Sequence, residues 1–406
     1  MSENPFQQVI EYHKHILARS RQVGDRGGEG VVLSELGLAY RKMGQIEQAI
    51  ECHQQALVIS RESSDRRSEG ADLTNLGLAY AVMGQIEQAI ECHQQALAIS
   101  REINAASSKH SSEWIKSRRD EGANLSNLGL ACRSLGQVEQ AIGHHQQALT
   151  ISRELDDQHG EGADLTNLGL AYAAVEQMEQ AIEYYERALT INREIRAASP
   201  KHSAEWMAGR RGEGANSSNL GNAYTALRQI EQAIECCEQA LSISRELGNR
   251  RTESADLGSL GNAYAALGQV ERAIEYHEQA LVISREIGDR HGEGANSGNL
   301  GASYAILGQT ERAIEYYEQA LVISREIGNR HGQGIHLANL GNARATLGQV
   351  ERAIKYYEQA LVIFEDIKSP YAKRVRGWLS QLKDSPSDPR LTRTKPLTIA
   401  QIPGAS

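Results

Sequence analysis

The chain is short of the residues that build thick cores and rigid crosslinks. Its 406 residues include only 2 Phe and 3 Trp, and aromatics make up 5% of the total. A single large aromatic-rich core is therefore excluded. Proline is scarce as well: of 7, only Pro200 falls between residues 6 and 369. Helix can run almost without interruption over that span, because few positions lose a backbone donor or meet a ring clash. The five cysteines (Cys52, Cys92, Cys132, Cys236, Cys237) are odd in number and lack the close spacing of a disulfide framework. They read as reduced thiols of a cytoplasmic protein. No apolar run approaches the ~18 residues of a membrane span. The opening Met1-Ser2-Glu3-Asn4-Pro5 lacks the basic-then-apolar order of a signal peptide. Positive charge is short except at one end. The net charge is −9, yet residues 368–395 hold eight Lys/Arg against Asp384 and Asp388, a local balance of +6, which leaves −15 elsewhere. An acidic body has the wrong sign for nucleic acid or an anionic membrane.

Catalytic signatures are also missing. There is no G-x-x-x-x-G-K-[ST] phosphate loop, no H-E-x-x-H, no G-x-S-x-G and no G-x-G-x-x-G. The Gly-rich links, such as Gly292-Glu293-Gly294, carry an acid where a phosphate would need donors. Cys52-His53 and Cys92-His93 are the best metal candidates, but adjacent residues diverge on a helix. Equivalent helices of neighbouring repeats lie ~8–10 Å apart, too far to share a metal with ligand bonds of ~2.0–2.3 Å. Tyr or Cys takes the same place elsewhere (Tyr185, Cys237, Tyr317, Tyr357), which marks it as a packing position. No metal and no cofactor are expected, and no enzyme.

What the chain does have is repetition. Leu36-Gly37-Leu38-Ala39-Tyr40 recurs from Leu76, Leu128, Leu168, Leu220, Leu260, Leu300 and Leu340, at steps of 40, 52, 40, 52, 40, 40 and 40 residues. Each copy is followed by a second segment with two alanines seven apart, from Ala49/Ala56 to Ala353/Ala360. Leu73, Leu76 and Tyr80 share one face of a 3.6-residue period, as do Ile86, Ala89, Ile90, His93, Ala96 and Leu97. Each unit thus reads as helix A, a tight turn such as Gly84-Gln85, helix B and a looser link. The repeated Gly of helix A sits mid-helix, where it costs about 1 kcal/mol against Ala. Its recurrence predicts that helix B crosses there too closely for a side chain.

Leu-Gly-x-Ala-Tyr followed by paired alanines resembles the tetratricopeptide repeat (TPR). Leu stands where that family usually has a large aromatic (Leu33, Leu73, Leu125, Leu165, Leu257, Leu337). Arg-Glu, as in Arg61-Glu62, replaces the usual Pro after helix B, and this lengthens the unit to 40 residues. The long unit resembles adaptor arrays of the Leu-Gly-Asn type and bacterial arrays attached to CHAT-type proteases or STAND-type NTPases. The resemblance implies an all-α, right-handed superhelix (an α-solenoid) of antiparallel helix pairs. Residues 1–29 then form an N-terminal half repeat with helix B only, and residues 30–367 eight full units. Residues 368–383 form a capping helix with Val375, Trp378, Leu379 and Leu382 on its apolar side. Residues 384–406 form a disordered tail.

The resemblance also implies a function, the binding of a peptide or partner protein along a groove lined by helix A. The lining residue just after the Gly is Leu38, Leu78, Leu130 and Leu170 in the first four units, then Asn222, Asn262, Ala302 and Asn342. Arg41 and Arg133 lie four residues after the Gly. An asparagine row can both donate to and accept from a peptide backbone. The chaperone-type carboxylate clamp is not expected, because Ser34, Thr74 and Ser126 stand where it needs Lys. The alternative is a regulatory or sensor arm. Residues 368–406 are too few for an enzyme domain, so such an arm is expected to act in trans on a CHAT-type protease or STAND-type NTPase.

The two 52-residue steps hold related insertions near 104–115 and 196–207, and 14 of 21 positions match between 104–124 and 196–216. Each carries one tryptophan, Trp114 or Trp206. Two readings stand open. The rings fold back as staples on their own repeats, or they stand out from one rim as anchors for a partner or a second copy.

Overall fold

The computed structural model describes residues 5–384. Those residues form α1 (Pro5–Val23), α2 (Arg26–Lys42), α3 (Ile46–Glu62), α4 (Arg66–Val82), α5 (Ile86–Ala106), α6 (Ser112–Ser134), α7 (Val138–Glu154), α8 (Gln158–Ala174) and α9 (Met178–Ala198). Then follow α10 (Ala204–Ala226), α11 (Ile230–Glu246), α12 (Arg250–Leu267), α13 (Val270–Glu286), α14 (Arg290–Ile306), α15 (Thr310–Glu326), α16 (Arg330–Thr346), α17 (Val350–Asp366) and α18 (Tyr371–Asp384). Among the described residues there is no strand. The even helices from α2 to α16 are the A helices, and α1 and the odd helices are of the B type. The chain divides into two compact units, residues 1–172 and 173–406. In the first, α1 to α7 pack in sequence and α4 also touches α2 and α6; α8 spans the boundary. In the second, α9 to α18 pack in sequence, and α12 and α14 link the A helices α10 to α16. The expected tail, 384–406, lies outside the described residues apart from Asp384, which ends α18.

Local chemistry fixes where the helices start and stop. The A–B turns put one residue in the left-handed region, and Gly44, Gly84, Gly136, Gly268, Gly308 and Gly348 meet that demand without strain. Glu176 (φ 61°) and Arg228 (φ 58°) take the same conformation without that freedom. The A helices are capped by Asp25, Asp65, Asn249, Asp289 and Asn329, whose side chains accept from backbone N–H groups of the first turn.

The mid-helix glycine marks a true crossing. A Cβ on Gly37 would lie 2.6 Å from the His53 ring, and one on Gly129 would lie 2.5 Å from His145. The same contact is made by His93 at Gly77, Cys237 at Gly221, His277 at Gly261, Tyr317 at Gly301 and Tyr357 at Gly341. The helix-B residue is therefore a plug filling the notch its glycine leaves. The paired alanines are buried completely or nearly so, and this lets the helices close on each other.

A polar layer joins consecutive repeats. Five residues before the Gly, the chain alternates Asp72, Asn124, Asp164, Asn216, Asp256 and Asn296, all buried. Ser34 of the preceding A helix donates to Asp72, and so does Ser60 of the preceding B helix at 3.2 Å. Ser126 and Ser152 do the same for Asp164. Asn124 instead accepts from Thr74 at 3.0 Å and lies 3.3 Å from His93 Nδ1. Outside this layer runs an Arg–Glu ladder. Glu69 takes Arg61 and Arg66, and Arg66 reaches on to Glu102 of the next repeat. The pattern repeats around Glu29, Glu121, Glu213, Glu253 and Glu293.

The insertions are not projecting loops. They lengthen both helices of their junction: α5 and α9 reach 21 residues and α6 and α10 reach 23, against 17 for α3 and α4. Ser111 and Ser203 cap α6 and α10 by accepting from the N–H of Trp114 and Trp206. Both rings are buried, with 9% and 7% exposure, and each stacks at a tilt on the preceding His110 or His202. At Gly209, a Cβ would lie 2.8 Å from the Asn192 carbonyl oxygen, so α10 and α9 meet backbone to backbone. Of the two readings left open, the burial favours the staple: an indole placed within this added helix contact loses its water.

α18 buries Val375, Trp378, Leu379 and Leu382, with Tyr357 and Trp378 5.9 Å apart and Lys383 paired to Glu358 at 2.9 Å. One apolar side faces α17 while Lys/Arg occupy the other.

Candidate partner-binding face

On α2, Val31, Ser34, Leu38 and Arg41 fall within one stripe of the helical period. Ala71, Thr74, Leu78 and Ala81 do so on α4, and Ala123, Ser126, Leu130 and Arg133 on α6. Because α4 packs on both α2 and α6, the three stripes form one continuous face. Leu38 and Leu78 are part-exposed and Leu130 is 36% exposed. Leu170 holds the same position on α8, also part-exposed. Ser34, Thr74 and Ser126 are already engaged by the polar layer between repeats. They are seams of the scaffold and not free ligand contacts. Sequence reading missed this, although the Asp/Asn alternation five residues before six of the eight Gly signals it.

Arg41 and Arg133 are the charged members of the face. Each is partly buried, and the Nε of each is shut off from solvent with no acceptor among the described residues. Each lies near a plug histidine. Burial, and secondarily the Arg41 charge, pushes His53 down to about 4. Burial and then Arg133 do the same to His145, also to about 4. These rings are neutral near pH 7 and act as packing groups. Among the described residues, no three His, Cys, Asp or Glu side chains gather as a metal ion would need. Burial raises the thiols of Cys52 and Cys92 to about 11, which leaves them poor nucleophiles.

The second unit treats its asparagines unequally. Asn222 is exposed and Asn262 part-exposed, while Asn342 is buried and its Oδ1 accepts from the Tyr357 hydroxyl at 2.7 Å. Ala302 is buried too. The expected row therefore offers Asn222 and Asn262 to a ligand but spends Asn342 on internal structure. The residue opposite it decides this: the Tyr357 plug carries a hydroxyl that needs an acceptor. Trp206 borders a shallow cavity with Arg196, Lys201 and Arg210, of which Arg196 and Arg210 are both paired to Glu213.

Stacked A–B helix pairs of this kind define a class of binding scaffolds. A family model, the tetratricopeptide repeat, matches residues 29–102, 120–194, 214–286 and 292–366. The chain belongs to the tetratricopeptide repeat family, and the two longer gaps between matches, 103–119 and 195–213, cover the insertions. No curated protein matches the chain. Among solved structures it is similar to the apo form of RapI, with 15% identity, TM-score 0.56, and coverage of 74% of this chain and 99% of that one. It is also similar to a Rap protein complexed with competence and sporulation factor (14%, 0.52, covering 88% and 98%). A third likeness is to a STAND protein with a tetratricopeptide repeat sensor from Pyrococcus horikoshii (17%, 0.52, covering 84% of this chain and 50% of that one). At these identities the likeness shows the fold. The scaffold suits protein–protein interaction, and no helix among the described residues is long and apolar enough to cross a membrane.

Proposed function

We propose that this chain is a non-catalytic, cytoplasmic scaffold or adaptor that binds a peptide or partner protein along the exposed face of its A helices. The observation that carries the reading is the stripe of Leu38, Leu78 and Leu130, three apolar side chains left part-exposed on adjoining helices of the first unit. Buried rows in regular register yield an extended surface, not the convergent pocket that catalysis needs. The Rap structure solved with a bound factor is consistent with ligand binding by this fold. A photo-crosslinking residue placed at Leu78 or Asn262 in the native cell should capture the partner. The same residue at Val58 or Val282, exposed on B helices, should not. Capture from the B positions alone would refute the reading.

A second reading has the chain as a regulatory or sensor arm acting in trans on a signalling enzyme of the CHAT-protease or STAND-NTPase type. The likeness to the repeat-bearing STAND protein favours it. The identity of the captured protein separates the two: an ATPase or protease supports the arm, and a non-enzymatic partner refutes it.

A further inference from the structure

The charged and apolar groups of the first unit's face fit one kind of ligand. Arg41 and Arg133 stand at the same helical position two repeats apart, with Ala81 between them. Arginines at the helix starts, such as Arg66, Arg118 and Arg250, are tied into the ladder; the equivalent of Arg41 is Ala81 in the second repeat and Ala345 in the last. Arg41 and Arg133 have no such anion among the described residues, and their buried Nε atoms lack an acceptor. Both guanidinium groups are only partly exposed, so a carboxylate arriving at their outer N–H groups meets a partly desolvated cation and gains more than one meeting a fully solvated guanidinium. Ala81 holds the same helical position between the two cations, and Leu38, Leu78 and Leu130 lie about one turn before that position, so the small Ala81 leaves the backbone of a ligand room to approach.

Resting on the binding reading above, we infer that the first unit recognises an extended acidic segment of a partner protein. Its two carboxylates are held by Arg41 and Arg133, and its apolar side chains lie along the leucine stripe. Packed helices are spaced about 8–10 Å apart, so the two arginines sit roughly 16–20 Å apart across α2, α4 and α6. At about 3.3 Å per extended residue, the carboxylates belong five or six residues apart. The chain's own residues 385–406 are not this ligand: they carry Arg390, Arg393 and Lys395 against Asp388 alone, the wrong sign.

The test is selection of random peptides displayed on phage against the full chain and against R41A/R133A. The double variant keeps its fold control within the molecule, since Ala81 already occupies the equivalent position. Circular dichroism and melting should be unchanged. Selection on the native chain should enrich pairs of Asp or Glu five or six residues apart with apolar residues between. The variant should bind those peptides about tenfold more weakly per arginine lost, and salt should weaken the native complex far more than the variant's. Peptides without acid enrichment that still lose affinity with Leu78→Ser would overturn this inference and leave the binding face standing. Failure to recover any peptide sensitive to either change would overturn the binding face as well.

Discussion

The plug histidines make the array sensitive to acid, and the size of the effect follows from their burial. His53, His145 and His277 are held at about 4, and His336, buried against Gly298, at about 3. An unfolded histidine titrates near 6.5. Folded pKa values depressed in this way contribute stability that is present above 6.5 and is lost as pH falls toward the folded value. Between pH 7.5 and 5 each such histidine should lose about 2 kcal/mol, or roughly 8 kcal/mol for the four. Burial acts oppositely on Asp164 and Asp256, held up at about 6 against the opposing serine hydrogen bonds. A raised carboxyl favours the folded state as pH falls through 6, so these two should return about 1.4 kcal/mol each over the same window. The net expectation is a loss of roughly 5 kcal/mol. The decisive variant is H53Y/H145Y/H277Y, since Tyr317 and Tyr357 already plug equivalent glycines; the matching Cys triple, after Cys237, guards against overpacking. Urea midpoints followed by circular dichroism at pH 7.5 and 5 give the answer. The native chain should weaken, while either triple variant should be flat or gain slightly, because His336 and the two aspartates then nearly cancel. A triple variant that weakens on acidification as much as the native chain would refute the reasoning.

Other consequences are more local. Replacing Glu176 and Arg228 with Gly should relieve left-handed strain and raise stability by about 1 kcal/mol each, read as a higher urea midpoint; a decrease would show that their side chains are needed. Gly129→Val should drive a side chain into His145 and cost roughly 1–3 kcal/mol. Hydrogen exchange should then quicken around residues 120–150 with little change at 300–340, and uniform quickening would contradict a short-range array. Trp206→Ala should lower the melting temperature and leave partner capture intact. The native tryptophans should resist iodide quenching, and strong quenching would restore the anchor reading.

The repeat, its helix pair and its family were legible because spacing alone carries them: eight copies of Leu-Gly and paired alanines leave little freedom. The reason for the glycine was legible in outline, though not that a histidine, cysteine or tyrosine ring or thiol fills the notch. The state of the face was harder to read. Whether Asn342 serves a ligand or the interior depends on Tyr357 opposite it, 15 residues away in sequence. Whether Arg41 has an anion depends on every side chain within reach. The insertions misled because an unmatched stretch rich in Ser and Ala resembles a loop. Only the closeness of Gly209 to α9 shows that it continues the helix.

Through the first unit the polar layer between repeats has a parity. Serine meets aspartate at one seam, and threonine meets asparagine at the next: Ser34 with Asp72, Thr74 with Asn124, Ser126 with Asp164. Removing residues 66–157, two repeats, would bring Ser34 and Ser60 onto Asp164 and rebuild a seam of the first kind. Removing residues 66–117, one repeat, would set Ser34 against Asn124, whose amide expects a threonine and a histidine. The longer deletion should therefore melt higher than the shorter one, and the reverse order would dismiss the idea. A chain of near-identical units is open to slippage by recombination, and this alternation means that it can change length in even steps at less cost than in odd ones.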